Sequence, residues 1–396
     1  MHKKLSILLM LMPFIVKAQH KLYVEITDLP KSHREDTIYI TGNFNKWQPA
    51  QKAMRLSRNE NGNLAITVDL KDVPSDRLEF KFTRGNWQTL ECTQEGRLVG
   101  PRLASLHKDT SIYCKIAGWR DDFPPSTRSA NVHRLDSAFF IPQLNRSRNI
   151  WIYLPEDYAK ATRRYPVIYM QDGQHLFDEA TSQGRIGPVE WGVDEVLDSA
   201  TQKAIIVAVD HHPDMKERVK EYYYESNPDH LEVEGKAYLD FVVNTLKPHI
   251  DKNYRTLPQK KYTAITGSSM GGLISLYAGL HHPETFGILG IFSPSVWLDY
   301  GNAEKTLTSL KKSKAISSQH YYFYAGNTEN RLKPDGTFVH MSDDIKRVIG
   351  LLAKNNQPEI KLSVHPQGRH GALYWREEFP AFYNWFIQKT NNTISP

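Results

Sequence analysis

Cysteine is nearly absent from this 396-residue chain, which holds only Cys92 and Cys114. That excludes a disulfide-dense scaffold and leaves at most one internal bridge, in the N-terminal third. Long apolar runs are also missing. Leu5–Val16 is too short to span a bilayer, and no other stretch approaches the roughly 20 residues a membrane helix needs. The excess of positive charge is small as well. The formal net charge is +6, and residues 1–18 contribute Lys3, Lys4 and Lys17 with no acid, leaving +3. So weak a basic balance gives no reason to expect a nucleic-acid partner. No internal repeat is visible.

The start of the chain has a pattern of its own. A basic Met1-His-Lys-Lys, the Leu5–Val16 run and the small residues of Val16-Lys17-Ala18 read as a secretory signal over 1–18, cut before Gln19. No cysteine follows the cut, so a lipid anchor is not expected. The mature protein is then periplasmic or secreted and has no membrane contact. In such an oxidising compartment Cys92 and Cys114 are expected to pair, the alternative being two buried thiols.

A chain this long exceeds what one core usually holds, so two domains are expected. Residues 19–118 alternate apolar and polar positions at Lys21–Ile26, Thr37–Thr41, Leu64–Leu70, Leu78–Phe82 and Ser111–Ile116, separated by Asn, Gly and Pro turns. Short strands at this spacing predict a small all-β sandwich. The string Ile38-Tyr-Ile-Thr-Gly-Asn-Phe-Asn-Lys-Trp-Gln-Pro49, with Gly85-Asn-Trp87 further on, resembles the starch- and glycogen-binding immunoglobulin-like modules. The resemblance puts Trp47 and Trp87 where such modules often stack a sugar ring, although many fused modules serve only as structural partners. Residues 119–135 are polar, carry Pro and Ser, lack periodicity and read as a linker.

From 136 to 390 strand patterns alternate with helix patterns, which predicts a parallel sheet covered on both faces. Within this stretch Tyr262–Thr266 is a β-prone run, Met270–Leu280 has a helical apolar face, and Gly267-Ser268-Ser269-Met270-Gly271 lies between them. Gly-x-Ser-x-Gly between strand and helix is a nucleophile elbow. It lifts the Ser269 hydroxyl above the sheet at a helix N-terminus, where backbone amides meet a developing oxyanion. The plan is an α/β-hydrolase, whose chain order is serine, acid, histidine. The last strand pattern ends in His365-Pro-Gln-Gly-Arg-His370, and His370, in the Gly-flanked loop, is the expected base, with His365 its competitor. Glu329 follows the preceding strand and is the expected acid, whereas Asp343 and Asp344 suit the start of the next helix. Gly173 lets the chain turn close to substrate after an early strand, so the amides of Gln174 and Met270 form the expected oxyanion hole. Asp210, His211 and His212 lack a third ligand at suitable spacing; no metal and no organic cofactor are expected.

Phe140–Pro155, Tyr165–Gln174, Glu190-Trp-Gly-Val-Asp194, Arg218-Val-Lys-Glu-Tyr222, the elbow, Phe292-Ser-Pro-Ser-Val-Trp297 and His370–Trp375 together resemble the "Putative esterase" family, which includes feruloyl and acetyl xylan esterases, enterochelin esterases and S-formylglutathione hydrolase. The resemblance implies a serine esterase with Ser269, Glu329 and His370 as triad and Gln174 and Met270 as oxyanion hole. Two departures stand out: Glu329 where many members have Asp, and Gly371-Ala372 where an acidic and an aromatic residue are common. Trp191 and Trp297 are the expected substrate-binding aromatics for an acyl or aromatic ester on a small molecule or oligosaccharide. A siderophore ester is the alternative, and its anionic charge would require cations such as Arg185, Arg218 and Arg369 near Ser269. A catalytically silent glycan binder would instead show Ser269 and His370 out of reach of each other.

Overall fold

The computed structural model describes residues 20–70, 77–94, 96–105, 108–182, 189–332 and 336–391. The segment read as a secretory signal and Arg185 lie outside the described residues. The chain divides into two units, Met1–Pro124 and Pro125–Pro396. Among the described residues no helix is long and apolar enough to cross a membrane.

Alternating apolar residues build the first unit. His20–Asp28 pairs antiparallel with Leu64–Leu70 and parallel with Thr110–Lys115, and Ser57–Arg58 extends the sheet. Tyr39–Gly42, Arg77–Thr83 and Arg102–Ser105 make a second sheet. Leu22, Val24 and Val68 from one sheet and Ile40, Leu78, Phe80 and Phe82 from the other share one buried core. Two sheets closing on one core are a small β-sandwich. Trp47 and Trp87 are both half-buried. Cys92 and Cys114 stand as two buried thiols rather than a bridge.

The polar stretch expected to open the linker belongs to this sandwich. Gly118–Trp119 pairs with Glu91–Cys92, and Trp119 is fully buried. The Arg84 guanidinium lies 5.2 Å from the indole centroid and bonds both Asp36 and Asp121. Charges that read as solvated linker are committed to an ion-pair network around one tryptophan, a pairing too distant in sequence for composition to reveal.

The second unit holds an eight-stranded sheet: β1 (Val132–Ile141), β2 (Arg146–Tyr153), β3 (Val167–Gln171), β4 (Ile205–Val209), β5 (Thr263–Ser268), β6 (Ile288–Phe292), β7 (His320–Gly326) and β8 (Glu359–His365). Their spatial order is β1-β2-β4-β3-β5-β6-β7-β8. The β1–β2 and β2–β4 pairs are antiparallel and every later pair is parallel. Every residue of β3, β4, β5 and β6 is buried, which is why β4 and β6 read as unbroken apolar runs, while β5 buries Thr263, Thr266 and Ser268 as well. One face packs Tyr238, Leu246, Leu273, Leu276, Ile345 and Leu352, and the other packs Val193, Leu197, Phe379, Phe382 and Phe386. β1 carries no readable alternation, because only its ends, Val132 and Ile141, are buried. It therefore falls partly inside the stretch read as linker.

Three carboxylates converge where the helix Val193–Ser199 begins. Glu190, Asp194 and Glu195 offer oxygens all within 4.8 Å of one another, and Glu190 and Asp194 are fully buried. Thr127 Oγ1 donates to Glu190 Oε1 at 2.7 Å, and the Ser129 amide donates to Asp194 Oδ2 at 2.7 Å. Burial raises the pKa of Glu190 and of Asp194, and the neighbouring Glu195 charge raises both further. A carboxyl raised in the folded state favours folding fully below its unfolded pKa of about 4, and that contribution is lost as pH climbs through the raised folded value. Asp194→Asn removes the titration yet keeps an acceptor for the Ser129 amide. Thermal unfolding at pH 5 and pH 9 should therefore show a smaller drop in Tm with pH for Asp194→Asn than for the wild type; equal drops would contradict this account.

Candidate active site

β5 runs directly into the helix Met270–His281 through one residue, Ser269, whose backbone sits at φ 57°, ψ −122°. A non-glycine residue there costs of order 1–3 kcal/mol, so its surroundings must hold it. They do so by backbone bonds. The Ser269 amide donates to the Phe292 carbonyl at 3.0 Å, and its carbonyl accepts from the Leu273 and Ser295 amides, each at 3.0 Å. The flanking glycines allow the approach: a Cβ on Gly267 would lie 2.7 Å from the Gly271 carbonyl carbon.

Two loops converge on this serine. The loop after β8 carries His370, whose Nε2 is 3.0 Å from Ser269 Oγ. The loop after β7 carries Glu329, 1% exposed, with Oε2 3.6 Å from His370 Nδ1. That contact is longer than a hydrogen bond, and in catalytic sites such contacts often tighten only when substrate binds. The loops are joined to each other. The Asn327 amide donates to the His365 carbonyl at 2.9 Å and the Thr328 amide to Gly368 at 3.1 Å. A Cβ on Gly326 would lie 2.3 Å from the Gly368 carbonyl carbon, so only glycine fits this crossing. His365 is engaged elsewhere, its Nδ1 accepting from the Gln367 amide at 3.2 Å and its Nε2 3.8 Å from Glu377. Asp343 and Asp344 lie in the first turn of Met341–Asn355, bonded to Lys346 and Arg347.

Ser293, Ser295 and Trp375 also reach the site, and sequence reasoning gave none of them a role. Ser293, fully buried and at φ 42°, donates from Oγ to Glu329 Oε1 at 2.6 Å and accepts from Trp375 Nε1 at 3.0 Å. The Trp375 ring meets the His370 ring edge-on at 5.1 Å. Ser295 Oγ lies 3.0 Å from Ser269 Oγ. The string Phe292-Ser-Pro-Ser was visible, but nothing in its spacing said which serine faces which partner.

The turn Gly173–His175 follows β3 and begins at Asp172, which is left-handed at φ 60°. It lies against the elbow helix: a Cβ on Gly271 would sit 3.0 Å from Asp172 Oδ2. Gln174 is half-buried, its Oε1 accepting from the His211 amide at 3.1 Å. Met270 opens the elbow helix, so its amide is among the N–H groups without an intrahelical partner. His211 and His175 face each other with Nε2 atoms 3.2 Å apart, and burial pushes His175 down to about 4 and His211 below the ordinary imidazole range.

Trp191, expected to meet substrate, and Arg218, a cation the siderophore alternative would place near Ser269, are both placed otherwise. Trp191 is 3% exposed and packs on Phe292, Trp375 and Phe379, so it supports the site from within the core. Arg218 is buried and grips Asp172 with two bonds, Nε to Oδ1 at 2.7 Å and Nη2 to Oδ2 at 2.8 Å. Trp297 is half-buried in the turn after Ser295, and Arg369, beside His370, is half-buried too.

A hydroxyl on a strained turn, an imidazole within reach of it, a buried carboxylate behind the imidazole and an adjacent helix N-terminus suit nucleophilic acyl chemistry. The sheet order and strand–elbow–helix unit define an α/β-hydrolase. The family model "Putative esterase" matches residues 141–386, and the chain belongs to that family. The chain is 26% identical over 259 residues to the uncharacterised Bacillus subtilis protein YbbA, covering 63% of this chain and 96% of YbbA. It is 28% identical over 224 residues to an endo-1,4-beta-xylanase/feruloyl esterase of Xylanibacter ruminicola, covering 55% of this chain and 27% of that one. In structure it is similar to the enterobactin esterase FES of Shigella flexneri, with a TM-score of 0.53 at 16% identity over 93% of this chain and 92% of the other.

Burial alone would raise the Asp172 carboxyl, but Arg218 overrides it and holds the group down to about 2. The stability this supplies is present above the unfolded pKa of about 3.9 and is lost as pH falls toward 2. Arg218→Met should strand a buried charge and cost about 3–5 kcal/mol at neutral pH. Denaturant titrations at pH 7 and pH 3 should show the deficit shrinking at the lower pH, because the stranded carboxyl then takes up a proton.

Proposed function

We propose that this protein is an exported serine esterase that hydrolyses carboxylic esters through Ser269, His370 and Glu329. The observation that carries the reading is the 3.0 Å contact of Ser269 Oγ with His370 Nε2, backed by the buried Glu329. His370 takes the Ser269 proton as Oγ attacks the ester carbonyl, then gives it to the departing alcohol. Water attacks the acyl-enzyme with His370 again as base. The amides of Gln174 and Met270 hold the oxyanion, and Glu329 keeps the imidazole in its Nδ1–H form. A silent glycan binder would need Ser269 and His370 apart, and their contact argues against it.

The substrate we favour is an acyl or aromatic ester on a carbohydrate. A feruloyl esterase among the relatives supports this, as does the engagement of Arg218 with Asp172. A ferric siderophore ester needs several cations near the nucleophile, and Arg218 is committed to Asp172. The sandwich unit fits an accessory role on the glycan side, through the half-buried Trp47 and Trp87.

The test is hydrolysis of p-nitrophenyl acetate, methyl ferulate, acetylated xylan and a ferric catecholate triester by wild type and Ser269→Ala. The wild type should cleave the first three and prefer an aromatic or carbohydrate ester, and the variant should lose about a thousandfold or more. Activity surviving in Ser269→Ala would overturn the nucleophile, and preference for the ferric triester would overturn the substrate.

A further inference from the structure

The Ser295 hydroxyl has no evident structural duty. It is 2% exposed and occupies the N-cap position of the turn Val296–Leu298, yet its side chain makes no capping bond. A serine at such a position ordinarily turns its oxygen back onto the amides of its own turn. Ser295 instead directs its Oγ to Ser269 Oγ, 3.0 Å away, while its amide donates to the Ser269 carbonyl, also at 3.0 Å. The segment that carries it has little freedom to move. Ser293 is held by Glu329 and Trp375, and a Cβ on Gly272 of the elbow helix would lie 2.8 Å from the Phe292 carbonyl oxygen and 3.3 Å from Pro294 Cα.

The proton inventory gives this contact a direction. A hydroxyl has one proton to donate. Nδ1 of His370 faces the Glu329 carboxylate at 3.6 Å, and in the tautomer that suits this contact, with the proton on Nδ1, Nε2 is the acceptor and the Ser269 proton points to it. The Oγ–Oγ contact is then a donation from Ser295 to Ser269.

We infer that Ser295 is a fourth catalytic residue, whose hydroxyl donates to the nucleophilic oxygen and binds it most tightly when that oxygen is charged. This rests on the serine-esterase reading of Ser269. In acylation the Ser269 proton passes to His370 Nε2 as the Oγ–carbon bond forms, and from there to the alcohol oxygen as the substrate's carbon–oxygen bond breaks. Negative charge passes through Oγ, and an O–H donor to a charged oxygen binds roughly twice as strongly as one to a neutral oxygen. Once Oγ is an ester oxygen it is a poor acceptor, and the bond weakens. In deacylation water adds to the carbonyl and gives a proton to His370, the Oγ–carbon bond breaks, and His370 returns that proton to Oγ. The donor strengthens again as Oγ departs. An interaction stronger in both transition states than in the states between them raises kcat.

The experiment compares wild type, Ser295→Ala, Ser295→Thr and Ser269→Ala. It reads single-turnover acylation by p-nitrophenyl acetate, inactivation by an alkyl fluorophosphonate, steady-state kcat and KM, and Tm. Ser295→Ala should lose about tenfold to a hundredfold in acylation and inactivation rates, with KM and Tm little changed. Ser295→Thr, which keeps the hydroxyl, should recover most of the loss. Wild-type acylation in Ser295→Ala, or a loss that Ser295→Thr does not recover in a folded protein, would overturn the inference. Ser269→Ala separates the two readings: if it still hydrolyses the ester, the nucleophile assignment has failed, and the role of Ser295 falls with it.

Discussion

The site depends on one strained backbone position. Ser269 sits at φ 57° between the innermost part of the sheet and a helix in which every residue from Met270 to Leu280 is buried. That burial anchors the turn, because relaxing Ser269 would mean withdrawing a wholly buried helix from the core. Burying large apolar side chains is worth about 1.5–3 kcal/mol each, and Leu273, Ile274, Leu276 and Tyr277 alone exceed the cost of one left-handed serine. The sheet reinforces the arrangement through Phe292, at the end of β6, whose carbonyl accepts the Ser269 amide. The Ser269 hydroxyl is thus presented by the core, and the loops bring Glu329 and His370 to it.

Those loops are tied to one another as well as to the elbow. Glu329 and His370 lie on separate connections, and the crossing of Gly326 and Gly368 with its two backbone bonds makes the pair one body. Glu has one more side-chain torsion than Asp, so Glu329 loses more entropy when fixed than an Asp there would. Ser293 and Trp375 supply the fixing. The hydroxyl of the first takes Oε1, leaving Oε2 to face His370, and the indole of the second holds that hydroxyl while its ring lies perpendicular to the imidazole. The departure from Asp is therefore accommodated by a buried serine and a tryptophan in the last helix.

The parts that were legible in the sequence are those with a local signature. The elbow between a β-prone run and a helical face, the unbroken apolar strands and the alternating strands of the sandwich all carry their pattern within about ten residues. β1 was not legible because an exposed hairpin strand buries only its ends. Trp119 and its arginine were hidden for a different reason: the charges that compose the pair are remote from each other, and alone they look like solvent-facing linker. Arg218 was legible as a candidate cation but not as the partner of Asp172, since the bidentate pair joins residues 46 positions apart. Ser295 could be quoted as part of a string, but its meeting with Ser269 is set by where β6 ends beside β5.

The burial of Trp191 changes what can determine specificity. An indole lining a cleft would sort substrates by ring stacking. Trp191 is packed instead against Trp375, which touches both Ser293 and His370. The same holds for Arg218, whose charge is spent holding Asp172 and with it the turn that carries Gln174. Two of the residue types most often associated with ligand recognition are thus packed into the structure that holds Ser269, His370 and the turn of Gln174. Trp297 and Arg369, by contrast, are half-buried, and they lie close in sequence to Ser295 and His370. The strained serine is built on packed core, and the loops above it can change without disturbing it.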